Sequence, residues 1–424
     1  MAFHRPNTTQ VPNPDPHPPK LNIPTYQEGP YVSIAPHEVA IADIQAYRII
    51  HRIGSNFNKG PWYTSQAPSQ YNDETCGVFG ILSNKTASRR RRLFQAAGTK
   101  NIVAEWEPQF IKLFDLALQR IKADLQDGQY NFVKWWTFLA SDVTGGLAFG
   151  EPFSNLKNGV ISAMVQDIEA AMPIIGVRAE LPWLKPVLNY TPTWCGNTWS
   201  ARFDRFVGYG WDAVHATLDD EEEQAVPDNV IVSEAANVIV AGTNTAAMTL
   251  TYLTYAVLKN ETVKKKLVAE VSKLLTDPRW NELENSPYLN NVIQEALKLH
   301  PGVPASLLRI VPTSGSQVDK HVIPAGTQIC TRAWNFQCDP YVFEDPLRFN
   351  PDRWNNPTPA MKEHMMAFGA PARMCLGHNI ARLEILHAVS KLFRECPQTA
   401  LHPSTTEASM EMVDYFAIKP KAER

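Results

Sequence analysis

Apolar residues recur at helical spacing through most of this chain, and strict alternation is rare. Helices are predicted over 85–97, 103–127 and 130–149, the last ending at Gly145-Gly146. Residues 160–220 read as mostly helical, interrupted by Pro182, Pro186 and Pro192. Further helices are predicted over 228–258, 261–275 and 287–299, the last stopped by His300-Pro301. A final helix is predicted over 377–394. Residues 30–45 alternate apolar and polar and read as a short hairpin followed by a helix. Short strands are predicted within 303–335, with a turn at Pro324-Ala-Gly326. Residues 336–374 follow neither period, and coil of that length tends to be functional. The pattern predicts a mainly α fold with a small β part.

Composition narrows this picture. The 424 residues are 44% hydrophobic and 20% charged, enough to build a large core. The formal net charge of −3 gives no strong attraction to nucleic acid. Prolines at 6, 12, 14, 16, 18, 19 and 24 favour an extended arm over 1–28, with a single domain over 29–424. That arm lacks the apolar core of a signal peptide. The apolar stretch from Val230 to Leu258 contains Glu234, Asn237 and Asn244, so it reads as a buried core helix rather than a membrane span. The run Asp219–Glu223 reads as a solvated connection. Six scattered cysteines without a CxxC pair suit a reducing compartment and neither a disulfide framework nor structural zinc. No GxGxxG or P-loop pattern appears, so no nucleotide site is expected.

One cysteine stands apart. The segment Phe368-Gly-Ala-Pro-Ala-Arg373-Met-Cys375-Leu-Gly377 runs directly into the final predicted helix. A thiolate is a strong soft ligand for iron. A helix N-terminus after it offers N–H groups and partial positive charge that stabilise the anion. Arg373 has the charge to pair with a cofactor carboxylate. The segment resembles the haem-binding loop of the cytochrome P450 family, Phe-x-x-Gly-x-Arg-x-Cys-x-Gly. Phe368, Arg373, Cys375 and Gly377 match, whereas Pro371 replaces glycine. Proline fixes φ and lacks an N–H, so a conflict with the tight bend of this loop is expected.

Other motifs follow in the family's order. Glu295-Ala-Leu-Lys298 resembles Glu-x-x-Arg, and Pro346-Leu-Arg-Phe-Asn-Pro-Asp-Arg353 resembles its partner segment. The resemblance implies a triad of Glu295, Lys298 and Arg353. It should be weaker than usual, because lysine lacks the planar fork of arginine. Ala241-Gly242-Thr243-Asn244-Thr245 resembles the centre of the family's distal helix. The resemblance implies that Gly242 makes room and that Thr245 bonds dioxygen or water. Asn244 replaces an acid and cannot exchange a proton near neutral pH. Within Arg89–Arg92 a helix cannot aim four consecutive side chains at one point, so one, Arg91, is expected at a haem propionate. Arg309 is a further propionate candidate by family position. His300, His364 and His378 read as cap, surface or core residues rather than iron ligands.

The resemblance covers residues 29–420, and the Gly146–Phe153 and Gly29–Glu38 stretches look like fungal biosynthetic members. It implies heme b with a Cys375 thiolate and a monooxygenase taking electrons from NADPH through cytochrome P450 reductase. The implied substrate is a hydrophobic terpenoid or polyketide held near 60–80 and 155–220, where Trp62, Tyr63, Trp183 and Trp194 lie. The alternative is a non-oxidative isomerase, dehydratase or cyclase, motivated by Asn244, Lys298 and Pro371. Members usually carry an N-terminal membrane helix. None precedes residue 29 here, so a cytoplasmic chain, or one peripheral on the cytosolic face of the endoplasmic reticulum, is expected.

Overall fold

The computed structural model describes residues 29–66, 72–128, 131–181, 208, 227–318, 320–415 and 417–421. The arm over 1–28, most of the predicted helical stretch beyond 181, the run at 219–223, and Trp183, Trp194 and Cys195 lie outside them.

Strands β1 (Tyr31–Ala35) and β2 (Glu38–Ile41) form the predicted hairpin and lead into α1 (Ile44–His51). The Asp43 carboxylate accepts the Ala46 N–H at 2.7 Å and so caps α1. After β3 (Asn58–Lys59) and a 3-10 turn (Pro61–Gln66) come α2 (Asn84–Gln95), α3 (Lys100–Gln126) and α4 (Phe132–Phe149). Ser83 and Asn131 cap α2 and α4 in the same way. The pair Gly145-Gly146 does not end α4, which runs on to Gly150 at φ 77°. Gly145 instead admits the returning Phe153 ring, which would lie 3.0 Å from any Cβ there.

Two further helices, α5 (Asn155–Asn158) and α6 (Ala163–Glu180), precede the long α7 (Asp228–Lys259). Then follow α8 (Glu261–Val271), α9 (Trp280–Glu284) and α10 (Pro287–Leu299). Strands β4 (Arg309–Ile310), β5 (Ser316–Val318), β6 (His321–Ile323) and β7 (Gln328–Cys330) follow, then α11 (Ala333–Gln337). The predicted coil contains α11's last residues, a 3-10 turn at Pro351–Asn355, α12 (Pro359–Glu363) and another turn at Pro371–Arg373. Helix α13 (His378–Glu395) follows as predicted. The antiparallel pair β8 (Met412–Tyr415) and β9 (Ala417–Pro420) was not legible from the pattern.

The main sheet has the order β1-β2-β7-β4-β3, with β2 and β7 parallel and its other pairs antiparallel. Lys59 lies directly opposite Arg309 in the β3–β4 pair. Helix α7 is long and apolar enough to cross a membrane by composition, but it is built into the core. It packs most extensively along α4 and also against α10 and α13. Leu250, Leu253 and Val257 share one core with Leu139, Ile293 and Leu386. Each such side chain, fully buried, contributes about 1.5–3 kcal/mol. The helix following Cys375 is therefore fixed by the same core as the helix carrying Thr245.

Candidate active site

The segment from Phe368 to Cys375 closes on itself. The Cys375 N–H donates to Phe368 O at 2.8 Å, and Arg373 N–H donates to Ala370 O at 2.9 Å. The sharp bend falls at Gly369, with φ 79°. Pro371 begins a 3-10 turn, where a fixed φ is suitable and its missing N–H costs nothing. The expected conflict at Pro371 is therefore absent, because the left-handed position lies two residues earlier.

Gly377 caps α13, and its N–H favours the thiolate form of the neighbouring Cys375. Cys375 is exposed, yet the surrounding protein desolvates it and pushes its thiol pKa up. The Gly377 N–H and the Arg91 guanidinium act against that shift and favour thiolate. Cys76, Cys330, Cys338 and Cys396 are also free thiols, buried or half-buried. Burial pushes the Cys338 thiol up to about 12 and raises the Cys330 thiol as well, and among the described cysteines Cys375 is the exposed one.

Gly98, between α2 and α3, had no signal in the sequence. A Cβ there would lie 2.4 Å from Leu376 O. Asn379 Nδ2 also donates to Gly98 O at 2.8 Å. Gly98→Ala is expected to displace Leu376 and its neighbour Cys375, costing about 1–3 kcal/mol by overpacking. Haem content per folded protein, read with circular dichroism beside it, should fall; unchanged content would show that the turn does not position the loop.

Four cations gather near the loop. Arg373 donates to Ile81 O, Leu82 O and Asn84 Oδ1 at 3.0–3.1 Å. Arg91 Nη2 donates to Met374 O at 2.6 Å. Buried Arg309 donates to Leu308 O at 2.7 Å, and Lys59 lies across from it. Burial, then Arg309 and Arg91, lowers the Arg373 pKa to about 10. Among the described residues no carboxylate ion-pairs with any of the four. The rest of the arginine run divides: Arg90 pairs with Glu234 of α7 at 3.4 Å, while Arg89 pairs with Glu74 at the surface.

Helix α7 turns one open stripe away from the core. Val238 and Ala241 are exposed and Thr245 half-buried, at helical spacing i, i+3, i+7. Thr245 Oγ1 donates to Ala241 O at 2.6 Å, so it presents lone pairs to a neighbour. Asn244 is half-buried, with no hydrogen bond to a described residue. Gly242 requires correction. A Cβ there would lie 2.7 Å from Thr144 Oγ1, so its missing side chain makes room for α4 and not for a ligand.

Glu295, Lys298 and Arg353 come together in a buried cluster. Arg353 Nε lies 3.2 Å from Glu295, and Lys298 Nζ lies 3.5 Å from it. Asn350 N–H and Trp354 Nε1 also donate to the carboxylate, at 3.1 and 2.8 Å. Lys298 donates to Pro346 O at 2.5 Å, and Arg353 donates to Glu344 O at 2.6 Å. The cluster thus stitches α10 to the coil that leads to Cys375. Trp354 was missed from sequence because an indole in a coil carries no pairing pattern.

The histidines match their bland readings. His300 ends α10, stacks on Tyr252 at 4.7 Å, and burial lowers its pKa to about 3. His364 Nδ1 bonds Ala360 O, and His378 Nδ1 bonds Cys375 O. Tyr63 is core, stacked edge-on to Trp62 and Phe79, whereas Trp62 Nε1 donates to Glu180.

An iron porphyrin with two carboxylates needs one open thiolate, cations and apolar walls. Cys375, the four cations and the α7 stripe supply these groups, so the residues present fit haem.

Comparison with known proteins agrees. The sequence model of the cytochrome P450 family matches residues 210–423. The chain is 32% identical to cytochrome P450 monooxygenase tazI of Aspergillus terreus, covering 93% of this chain and 85% of the relative. It is 30% identical to cytochrome P450 monooxygenase stcB of Emericella nidulans, covering 92% and 78%. It is also 30% identical to cytochrome P450 monooxygenase aflV of Aspergillus parasiticus, covering 93% and 83%. Identity maintained over nine-tenths of the chain cannot come from one shared loop, and this chain belongs to the cytochrome P450 family of haem-thiolate monooxygenases.

Proposed function

We propose that this chain inserts oxygen into a hydrophobic secondary metabolite of terpenoid or polyketide class, with Cys375 as the iron ligand. The carrying observation is the exposed Cys375 immediately before α13, where the Gly377 N–H and the Arg91 guanidinium favour the thiolate. Haem, when bound, supplies dioxygen activation. Arg91, Arg309 and Arg373 hold its carboxylates, and Phe368 flanks the cysteine loop. Val238 and Ala241 give the substrate an apolar wall. Thr245 Oγ1 accepts a hydrogen bond from water at the reacting face. With Asn244 beside it, proton passage runs through Thr245 Oγ1 and water rather than through a carboxylic acid. Glu295, Lys298 and Arg353 hold the coil behind the site. Electrons come from NADPH through a separate reductase, and the exposed Arg89 and Arg92 suit an acidic partner surface. The protein works in the cytoplasm or peripherally on the cytosolic face of the endoplasmic reticulum.

The second reading, an isomerase, dehydratase or cyclase on this fold, now rests on Asn244 and Lys298, since Pro371 causes no conflict. Purified protein with candidate terpenoids and polyketides, with and without NADPH and reductase, separates the two. Oxygenated product only with both supports oxygen insertion; isomerised or dehydrated product without them overturns it. A thiolate-type band in the reduced CO difference spectrum is expected in either case.

A further inference from the structure

Lys59 was not singled out by any motif. It is buried, and the residue opposite it across the β3–β4 pair is the equally buried Arg309. Like charges directly opposite one another in an antiparallel pair are destabilising, and burial removes the water that would screen them. Arg373, from the turn before Cys375, and Arg91, from α2, act on Lys59 as well. The other groups facing it are Cys76, the Tyr63 and Phe79 rings at 4.0 and 4.3 Å, and Phe79 O, which accepts from Nζ at 2.5 Å.

These groups oppose one another. The two aromatic faces and the carbonyl favour the ammonium. Burial first, then the three guanidiniums, favours the neutral amine and draws the pKa well below its ordinary value. Asp73, whose carboxylate accepts from the Leu82 and Ser83 N–H groups, acts on Arg373 without forming an ion pair, and no carboxylate among the described residues ion-pairs with any of the four cations. A dianion placed among them would cancel the repulsion and tip the balance toward ammonium.

We propose that Lys59 is a further haem-positioning residue and that haem loading takes up a proton at Lys59 Nζ. The inference rests on haem binding at Cys375. The proton comes from solvent; the amine becomes ammonium, and no covalent bond to carbon changes. Haem-bound protein then holds more protons than haem-free protein. Haem affinity is therefore greatest on the acid side and falls as pH rises through the interval between the two Lys59 pKa values.

The test follows haem transfer from the holoprotein to excess apomyoglobin, read at the Soret band across neutral and alkaline pH. Wild-type transfer is expected to accelerate as pH rises. Lys59→Met should lose haem about 10- to 100-fold faster on the acid side, with a flattened pH dependence. Lys59→Arg remains charged throughout, so it should retain haem with an equally flat profile. A wild-type pH slope in Lys59→Met overturns the proposal, as does Lys59→Arg losing haem as fast as Lys59→Met. If Lys59→Met does not fold, Lys59→Arg decides alone, and a wild-type slope in it overturns the proposal. Absence of a thiolate-type CO band from all three proteins overturns the haem assignment itself, and the Lys59 proposal with it.

Discussion

Cys375→Ser is expected to give a folded protein that lacks the thiolate-type band in the reduced CO difference spectrum and all NADPH-dependent oxygen insertion. Serine has nearly the same shape, but its hydroxyl does not ionise near neutral pH and its oxygen is a poor soft-metal donor. The change should cost little in folding. The Cys375 side chain is exposed and belongs to no hydrophobic cluster, and the bond closing the loop is made by its backbone N–H. Denaturant unfolding of the haem-free protein should therefore change by no more than about 0.5 kcal/mol. A wild-type CO band in the serine protein would rule out Cys375 as the ligand.

The second large effect is expected at Glu295. Its carboxylate is fully buried between Lys298, also fully buried, and Arg353. Glu295→Gln removes the negative charge and leaves two buried cations facing one another. Removing one partner of a buried ion cluster costs about 3–5 kcal/mol. Glutamine can still accept from Asn350 N–H or Trp354 Nε1, so the loss is mainly electrostatic. Urea unfolding should show the midpoint falling, and haem retention should fall with it as the coil loosens. Combining it with Lys298→Met should recover part of the loss, since one stranded cation is removed. A loss below about 1 kcal/mol would mean that the cluster is not what fixes the coil.

The parts of the site legible in the sequence were those written as short strings. Phe368 to Gly377 and Glu295 to Lys298 each sit on one local element, so spacing alone carries their geometry. Arg353 was legible because its proline-rich segment stands at a characteristic distance from both. Lys59 and Gly98 were not legible, since each acts on residues hundreds of positions away and each is a common residue type. Gly242 was assigned a site role because a missing Cβ in a helix does not declare which neighbour it serves; Thr144 of α4 settles that. Pro371 looked disruptive because the family's bend was assumed to lie at that position, whereas Gly369 supplies it. In the fold, long amphipathic helices were legible within a few residues. The β8–β9 pair was not, because its strands are four residues each.

The close approach at Gly98 also bears on how this chain tolerates change in length. Connections between helices are ordinarily where insertions and deletions accumulate at little cost. The short connection between α2 and α3 is different, because its glycine is wedged against Leu376 and its carbonyl is held by Asn379. Helix α2 grips the same loop from its other end, through Arg91 and Met374. One extra residue at 96–99 would shift one grip relative to the other, and the sulfur between them would move. That connection is a fixed-length spacer, so chimeras and loop grafts should cross over elsewhere.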